Sequence, residues 1–422
     1  MDHQYVVFLQ EAMLAALGCT EPIALAYAAA TGRKYLPADP SKILVRCSGN
    51  MIKNAKSVIV PHSGGLKGIA ISSILGAIAG NPEKKLEVLT DVQEADIERA
   101  KSLEAERICT VEHAKGYTGL YIDTTMEAVG PDGKTHRSRV VIQNHHTSIV
   151  RIEQDETLVL DSPAEECVDV ECDFSFTKIY EFASNGDITP LLPILHREIE
   201  YNEAIAKEGL TNPWGAQIGR SLYERAKKAD DQIGMEIAHA AAGSDARMSG
   251  CEMPVVINSG SGNQGMTVSL PIIERARKNG ASQEELDRAL IFANLIASYI
   301  KAHIGCLSAF CGAVSAASAA LGGIAFLEKQ PKEVVSETIS NSLVTTGGML
   351  CDGAKPSCAA KIATALHTAY AAYDQAKEGR SFVYGDGLVG KDLDHTIAAI
   401  GQVAREGMQS TDEQILQQMI QQ

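Results

Sequence analysis

Three cysteines in the C-terminal half of the chain stand where the sequence changes character. Cys306 follows Gly305, Cys351 follows the pair Gly347 and Gly348, and Cys358 follows Pro356 and Ser357. Apolar helical patterns flank each break. LDRALIFANLIASYIKAHI runs up to Gly305, AVSAASAALGGIAFL comes next, VVSETISNSLV ends before Thr345, and AAKIATALHTAYAAYDQA follows Cys358. Glycine ends helices and a Pro-Ser pair starts them. All three thiols are therefore expected near helix beginnings, where free N–H groups and the helix dipole favour thiolates and bound anions. Three clustered thiolates suit a metal, and iron–sulfur clusters are held by thiolates. A cluster with three protein ligands leaves one iron open to act as a Lewis acid. The plain alternative is three small hydrophobes in a helical core. Cys311 could complete a four-thiolate set, which is the basis of a zinc reading.

Other candidates lie outside this stretch. Cys19 sits before Thr20, Glu21 and Pro22, a helix-start signature, so its thiol is expected to be acidic. Glu21 reads first as a complement to the helix dipole. The run Ser259-Gly260-Ser261-Gly262-Asn263-Gln264-Gly265 precedes another helix and offers donors to a carboxylate or phosphate. It is neither a Walker loop nor a Rossmann fingerprint. Pro61-His62-Ser63-Gly64-Gly65 is a weaker turn of the same kind, and Asn144-His145-His146-Thr147 places two histidines between expected strands.

Taken in order, Gly18-Cys19-Thr20-Glu21-Pro22, KNAKSVIVPHSGG from Lys53, Asn144 to Thr147, Ser244 to Gly265, Gly305-Cys306, and Cys351 to Cys358 resemble the L-cysteine desulfidase family. That family is a branch of the iron–sulfur L-serine dehydratase alpha-chain superfamily, and the likeness spans nearly the whole chain. The resemblance implies β-elimination of L-cysteine to pyruvate, hydrogen sulfide and ammonia. It implies a 4Fe–4S cluster on Cys306, Cys351 and Cys358, with Cys19 as base or competing ligand and His146 beside the reaction. It implies substrate binding by Ser259, Ser261, Asn263, Gln264 and Ser63. The gap from Cys351 to Cys358 is shorter than in the serine dehydratases. Serine dehydration on the same scaffold, a pyridoxal-phosphate lyase and a non-enzymatic metal-binding protein are the rival readings. No lysine stands in a recognisable Schiff-base motif for the second.

The elements that must position these residues divide the chain of 422 residues in three. Residues 1–35 read as helices that pack with the later ones. Residues 36–182 read as an α+β segment with a largely antiparallel sheet, its strands including KILVRCS, SVIVP, KLEVLTDV, RICTVEH, LYIDTTMEAV, HRSRVVIQN, SIVRIEQ and ETLVL. Pro131-Asp132-Gly133 is the turn of a hairpin. Residues 183–422 read as helical to the end, so the fold class is α+β with a mostly helical catalytic part. A net charge of -15, from 38 basic and 53 acidic residues, speaks against nucleic acid or an anionic membrane as partner. No stretch reads as a signal peptide or a membrane span. Ten cysteines without a secretory signal suggest reduced thiols in the cytoplasm. The expected partners are a small amino acid and further copies of the chain.

Overall fold

The computed structural model of the chain describes residues 2–117, 119–164, 174–305 and 308–421. The fold is α+β. A short helix α1 (Asp2–Ala12) leads to strand β1 (Ala15–Leu17) and helix α2 (Thr20–Arg33). Strand β2 (Lys42–Cys47), helices α3 (Gly49–Ala55), α4 (Ile69–Ala79) and α5 (Glu94–Ala105), and strand β3 (Cys109–His113) follow. Strands β4 (Tyr121–Val129), β5 (Thr135–Gln143), β6 (Ile149–Gln154) and β7 (Thr157–Asp161) complete a six-stranded sheet of order β3-β2-β4-β5-β6-β7. Only the β2–β3 pair is parallel. β2 shows why this segment is a strand: Ile43, Val45 and Cys47 are buried and alternate with more exposed residues. The 130–134 turn closes the β4–β5 hairpin, with the Gly130 N–H donating to Lys134 O at 2.8 Å.

The helical part comprises α6 (Phe176–Asn185), α7 (Leu192–Thr211), α8 (Ile218–Ala229) and α9 (Gln232–Met248), then strand β8 (Pro254–Val256). After it come α10 (Gly262–Asn279), α11 (Gln283–Ile304), α12 (Gly312–Leu327), α13 (Lys332–Thr346), α14 (Cys358–Lys377), α15 (Leu393–Gln402) and α16 (Gln409–Gln421). Helix α12 is the hub. It packs on α10, α11, α13 and α14 and is buried almost throughout. Its Ala, Ser and Gly residues let four neighbours approach. No helix of the described residues is long and apolar enough to cross a membrane.

Two contacts join parts of the chain that are far apart in sequence. β1 pairs antiparallel with β8, Ala15 opposite Val256. α16 packs on α3, where the buried Lys53 ammonium meets Asp412 at 2.5 Å. Within residues 1–35, α1 meets α11, while α2 packs chiefly on elements of the next segment. It packs on β4, β5 and α4, so closely that a Cβ on Gly76 of α4 would stand 2.2 Å from Ala26 O.

Two expected strands are absent. KLEVLTDV instead forms a 3-10 turn over Pro82–Glu87 and a loop. Asn81 accepts the Glu83 N–H and proline occupies the first turn, both helix-start devices. SVIVP makes one isolated bridge, Ile59 to Lys67. Helix α3, capped by Ser48, was not anticipated.

Candidate functional site

A cavity of about 1640 Å3 opens where the sheet's loops meet the helical part. Two thiol-bearing loops form one wall. Phe310 and Leu350 make an antiparallel bridge. The Cys311 N–H donates to Met349 O at 3.0 Å and the Cys351 N–H to Ala309 O at 2.6 Å. Cys311 is the N-cap of α12, and Cys358 is the first residue of α14. Cys351 is not at a helix start, contrary to expectation; it lies on the bridged loop. Cys306 lies outside the described residues. Cys311, Cys351 and Cys358 all line the cavity. Burial, reinforced by Cys351, pushes the Cys311 thiol up to about 12. Burial also raises Cys358, despite the Lys355 N–H it accepts at 3.5 Å. Lysines surround this wall. Lys361 pairs with Asp352, and Lys355 reaches Lys53 O and Ser57. Lys301 is buried and makes no ion pair among the described residues; burial lowers it to about 8 against the pull of Cys351 and Cys311.

The opposite wall begins at the start of α2. The Cys19 thiol donates to Glu21 Oε2 at 2.9 Å, the Thr20 hydroxyl to the same oxygen at 3.2 Å, and Asn54 Nδ2 to Oε1 at 3.0 Å. Thr20 also reaches Gly260 O at 3.1 Å. The expected acidic thiol is corrected here: burial first, then the Glu21 charge, holds Cys19 well above the ordinary thiol range. For Glu21, burial works against ionisation. His146, the Cys19 hydrogen bond, its own backbone and Arg247 outweigh it and keep the carboxyl below its usual value. Glu21 is thus a buried carboxylate of the cavity, not only a dipole complement.

His146 stands in the turn between β5 and β6. Its ring lies over the Gly260 turn, where an added Cβ would meet Cε1 at 3.3 Å. Its Nε2 is buried without a partner among the described residues, and burial lowers its pKa against the pull of Glu21.

Arg247, in the last turn of α9, is the residue that sequence reasoning passed over. It is buried and lines the cavity. Its Nη1 donates to Asn263 Oδ1 at 3.3 Å, its Nε has no partner, and it makes no ion pair among the described residues. Gly262 makes room for it, since a Cβ there would lie 2.5 Å from Arg247 Nε. An unpaired buried guanidinium is costly unless an anion arrives to meet it. The available signal was one cation in an Ala, Gly and Ser stretch, AAAGSDARMSG.

Helix α10 starts earlier than expected, so Asn263 and Gln264 lie in its first turn, and Ser261 caps it by accepting the Gln264 N–H. Gln264 Oε1 is buried without a partner among the described residues, and its amide lies against Gly312. Cys19, His146, Ser259, Ser261, Asn263, Gln264, Cys351 and Cys358 thus meet in one cavity. Ser63 does not join them: it is buried away from the lining and donates to Val60 O at 2.6 Å.

The serine dehydratase alpha chain family model matches residues 83–417. A UPF0597 protein of Lachnoclostridium phytofermentans is 45% identical over 423 residues, covering all of both chains. Those of Finegoldia magna and Treponema denticola are 44% and 41% identical, the first over 99% of both chains and the second over 99% of this chain and 97% of its own. The match over most of the chain carries the cavity-lining segments with it, from His146 to Cys358. The chain belongs to the serine dehydratase alpha chain family.

Proposed function

We propose that this protein is a β-eliminating lyase acting on L-cysteine, releasing pyruvate, hydrogen sulfide and ammonia. The observation that carries the reading is one cavity holding both a buried arginine without a carboxylate partner and the thiols of Cys19, Cys311, Cys351 and Cys358. The implied cofactor is a 4Fe–4S cluster. Among the described residues no three His, Cys, Asp or Glu side chains are gathered to hold a metal ion. The donor chemistry nevertheless fits. Cys351 and Cys358 face the cavity, soft thiolates suit iron, and Lys301 and Lys361 stand by to offset their charge. Cys306, as third ligand, follows from the resemblance alone. When bound, such a cluster supplies a Lewis acid at its open iron.

The chain's own residues do the rest. Arg247 and the first turn of α10 hold the substrate carboxylate. Glu21, kept ionised in the cavity, is the group able to take the α-proton, and the Cys19 thiol that donates to its Oε2 at 2.9 Å holds it in place. His146 Nε2 holds a second proton for the leaving group. The α10 helix start favours an anion beside Asn263 and Gln264.

Serine dehydration is the second reading, favoured by the family's name. Anaerobic purification with iron and sulfide analysis, followed by turnover of L-cysteine and L-serine, separates the two. Bound iron with faster sulfide release supports the first reading. Faster pyruvate formation from serine reverses the substrate order, and iron without pyruvate from either removes both.

A further inference from the structure

Behind the cavity a chain of buried polar side chains runs from Ser259 to Glu198 on α7. Asn294 Nδ2 donates to both Glu198 carboxyl oxygens, at 3.2 and 3.1 Å, and to Leu290 O at 3.0 Å. Asn258 Nδ2 donates to Asn294 Oδ1 at 2.9 Å and to Asn294 O at 3.2 Å. The Ser259 hydroxyl donates to Asn258 Oδ1 at 3.0 Å or Ser298 Oγ at 3.2 Å. Glu198, Asn258 and Asn294 have no solvent exposure.

The direction of this chain is fixed. A backbone carbonyl only accepts, so Leu290 O and Asn294 O dictate which end of each amide is the NH2. Both carboxamide oxygens therefore face back towards the cavity, and the Ser259 proton points inward to meet them. Among the described residues, no donor reaches Ser259 Oγ. Ser259 lines the cavity, and its backbone is held at a φ of 48°. Its open face is a hydrogen-bond acceptor, which is wrong for a carboxylate and right for an ammonium group. The neighbouring Glu21 is already taken up by Cys19, Thr20 and Asn54.

Resting on the amino-acid substrate proposed above, we infer that Ser259 receives the substrate's α-ammonium group, and that Glu198 is a positioning residue acting on it through Asn294 and Asn258. This turns Ser259 from the carboxylate donor expected from the sequence into an acceptor. Arg247 and Ser259 then hold opposite ends of the zwitterion.

The test is competitive inhibition of wild-type turnover by cysteamine, which lacks the carboxylate, and by 3-mercaptopropionate, which lacks the ammonium. Ser259→Ala weakens cysteamine roughly tenfold or more and changes 3-mercaptopropionate less than about twofold. Glu198→Leu gives the same selective loss, and Glu198→Gln, which still accepts from Asn294, keeps the wild-type ratio. A merely structural role would weaken both analogues alike. Equal loss in Ser259→Ala, a larger loss for 3-mercaptopropionate, or no loss overturns the inference. If the wild type eliminates neither cysteine nor serine, the functional reading fails separately. Calorimetric binding of the two analogues to wild type and Ser259→Ala then decides the ammonium site, and a wild type that binds no cysteamine overturns it.

Discussion

Helix α9 carries a residue of two contrasting regions at its two ends. Near its start, the fully buried Glu236 receives Arg275 through Nε at 2.8 Å and Nη2 at 3.0 Å, together with the Tyr370 hydroxyl. Arg275 Nη1 reaches Glu328 at 2.6 Å, and Tyr373 donates to the same residue at 2.6 Å. Every charge in that cluster is answered within the chain. At the other end, Arg247 is buried more deeply than Arg275, hydrogen-bonds only the Asn263 amide among the described residues, and has the Glu21 charge near but not paired with it. Desolvated charge must be compensated. The first region is compensated at folding and serves the scaffold; the second, on the function proposed above, is left for a ligand.

The largest effect expected from breaking this contrast is at Arg275. Arg275→Ala strands Glu236 without its counter-charge and should cost about 3–5 kcal/mol in denaturant unfolding. An unchanged midpoint would show that the cluster is not the scaffold's anchor.

Glu198 sharpens the contrast through pH. Burial raises its carboxyl to about 8 from an ordinary 4.5, opposed only by Asn294. The folded protein keeps a proton that the unfolded chain releases across that window. The contribution to stability is therefore complete below about pH 4.5 and is lost as pH rises towards 8. Stability of the wild type should fall by a few kcal/mol more than that of Glu198→Gln between pH 5 and 8. Parallel pH curves for the two proteins would contradict this.

Arg247→Gln should behave oppositely to Arg275→Ala. Losing a charge-assisted hydrogen bond to substrate costs about 1.5–3 kcal/mol, or roughly 10–100-fold in kcat/KM, with the unfolding midpoint held or raised. Loss of stability with normal kinetics would return Arg247 to the scaffold. The smallest effect belongs to Ser63→Ala, about 1 kcal/mol of stability from the bond to Val60 O, with KM unchanged. A raised KM there would bring Ser63 back into the site.

What could be read from the sequence was local. Gly305 ends α11 with a φ of 97°, and the 130–134 turn closes its hairpin, because a few adjacent residues decide each. The α+β class followed from long runs of one period. KLEVLTDV misled because its alternation resembles a strand while Asn81 and Pro82 just upstream impose a turn. Arg247 and Glu21 were missed for a different reason. Their importance lies in partners they have or lack across the fold, and residue type says nothing of that. Cys19 looked acidic from its helix start, but burial and a neighbouring carboxylate, both tertiary, dominate it.

The pairing of β1 with β8 also bears on how the site is made. Ala15 waits for Val256 before the start of α2 can meet the turn before α10. The thiol wall needs the still later α14, and Lys53 pairs with Asp412, 359 residues further along. Contacts so distant along the chain carry a large loop-closure entropy cost. On a ribosome that exposes the N-terminus first, the cavity lacks its thiol wall until α14 has emerged, so anything that needs both walls is loaded after that point.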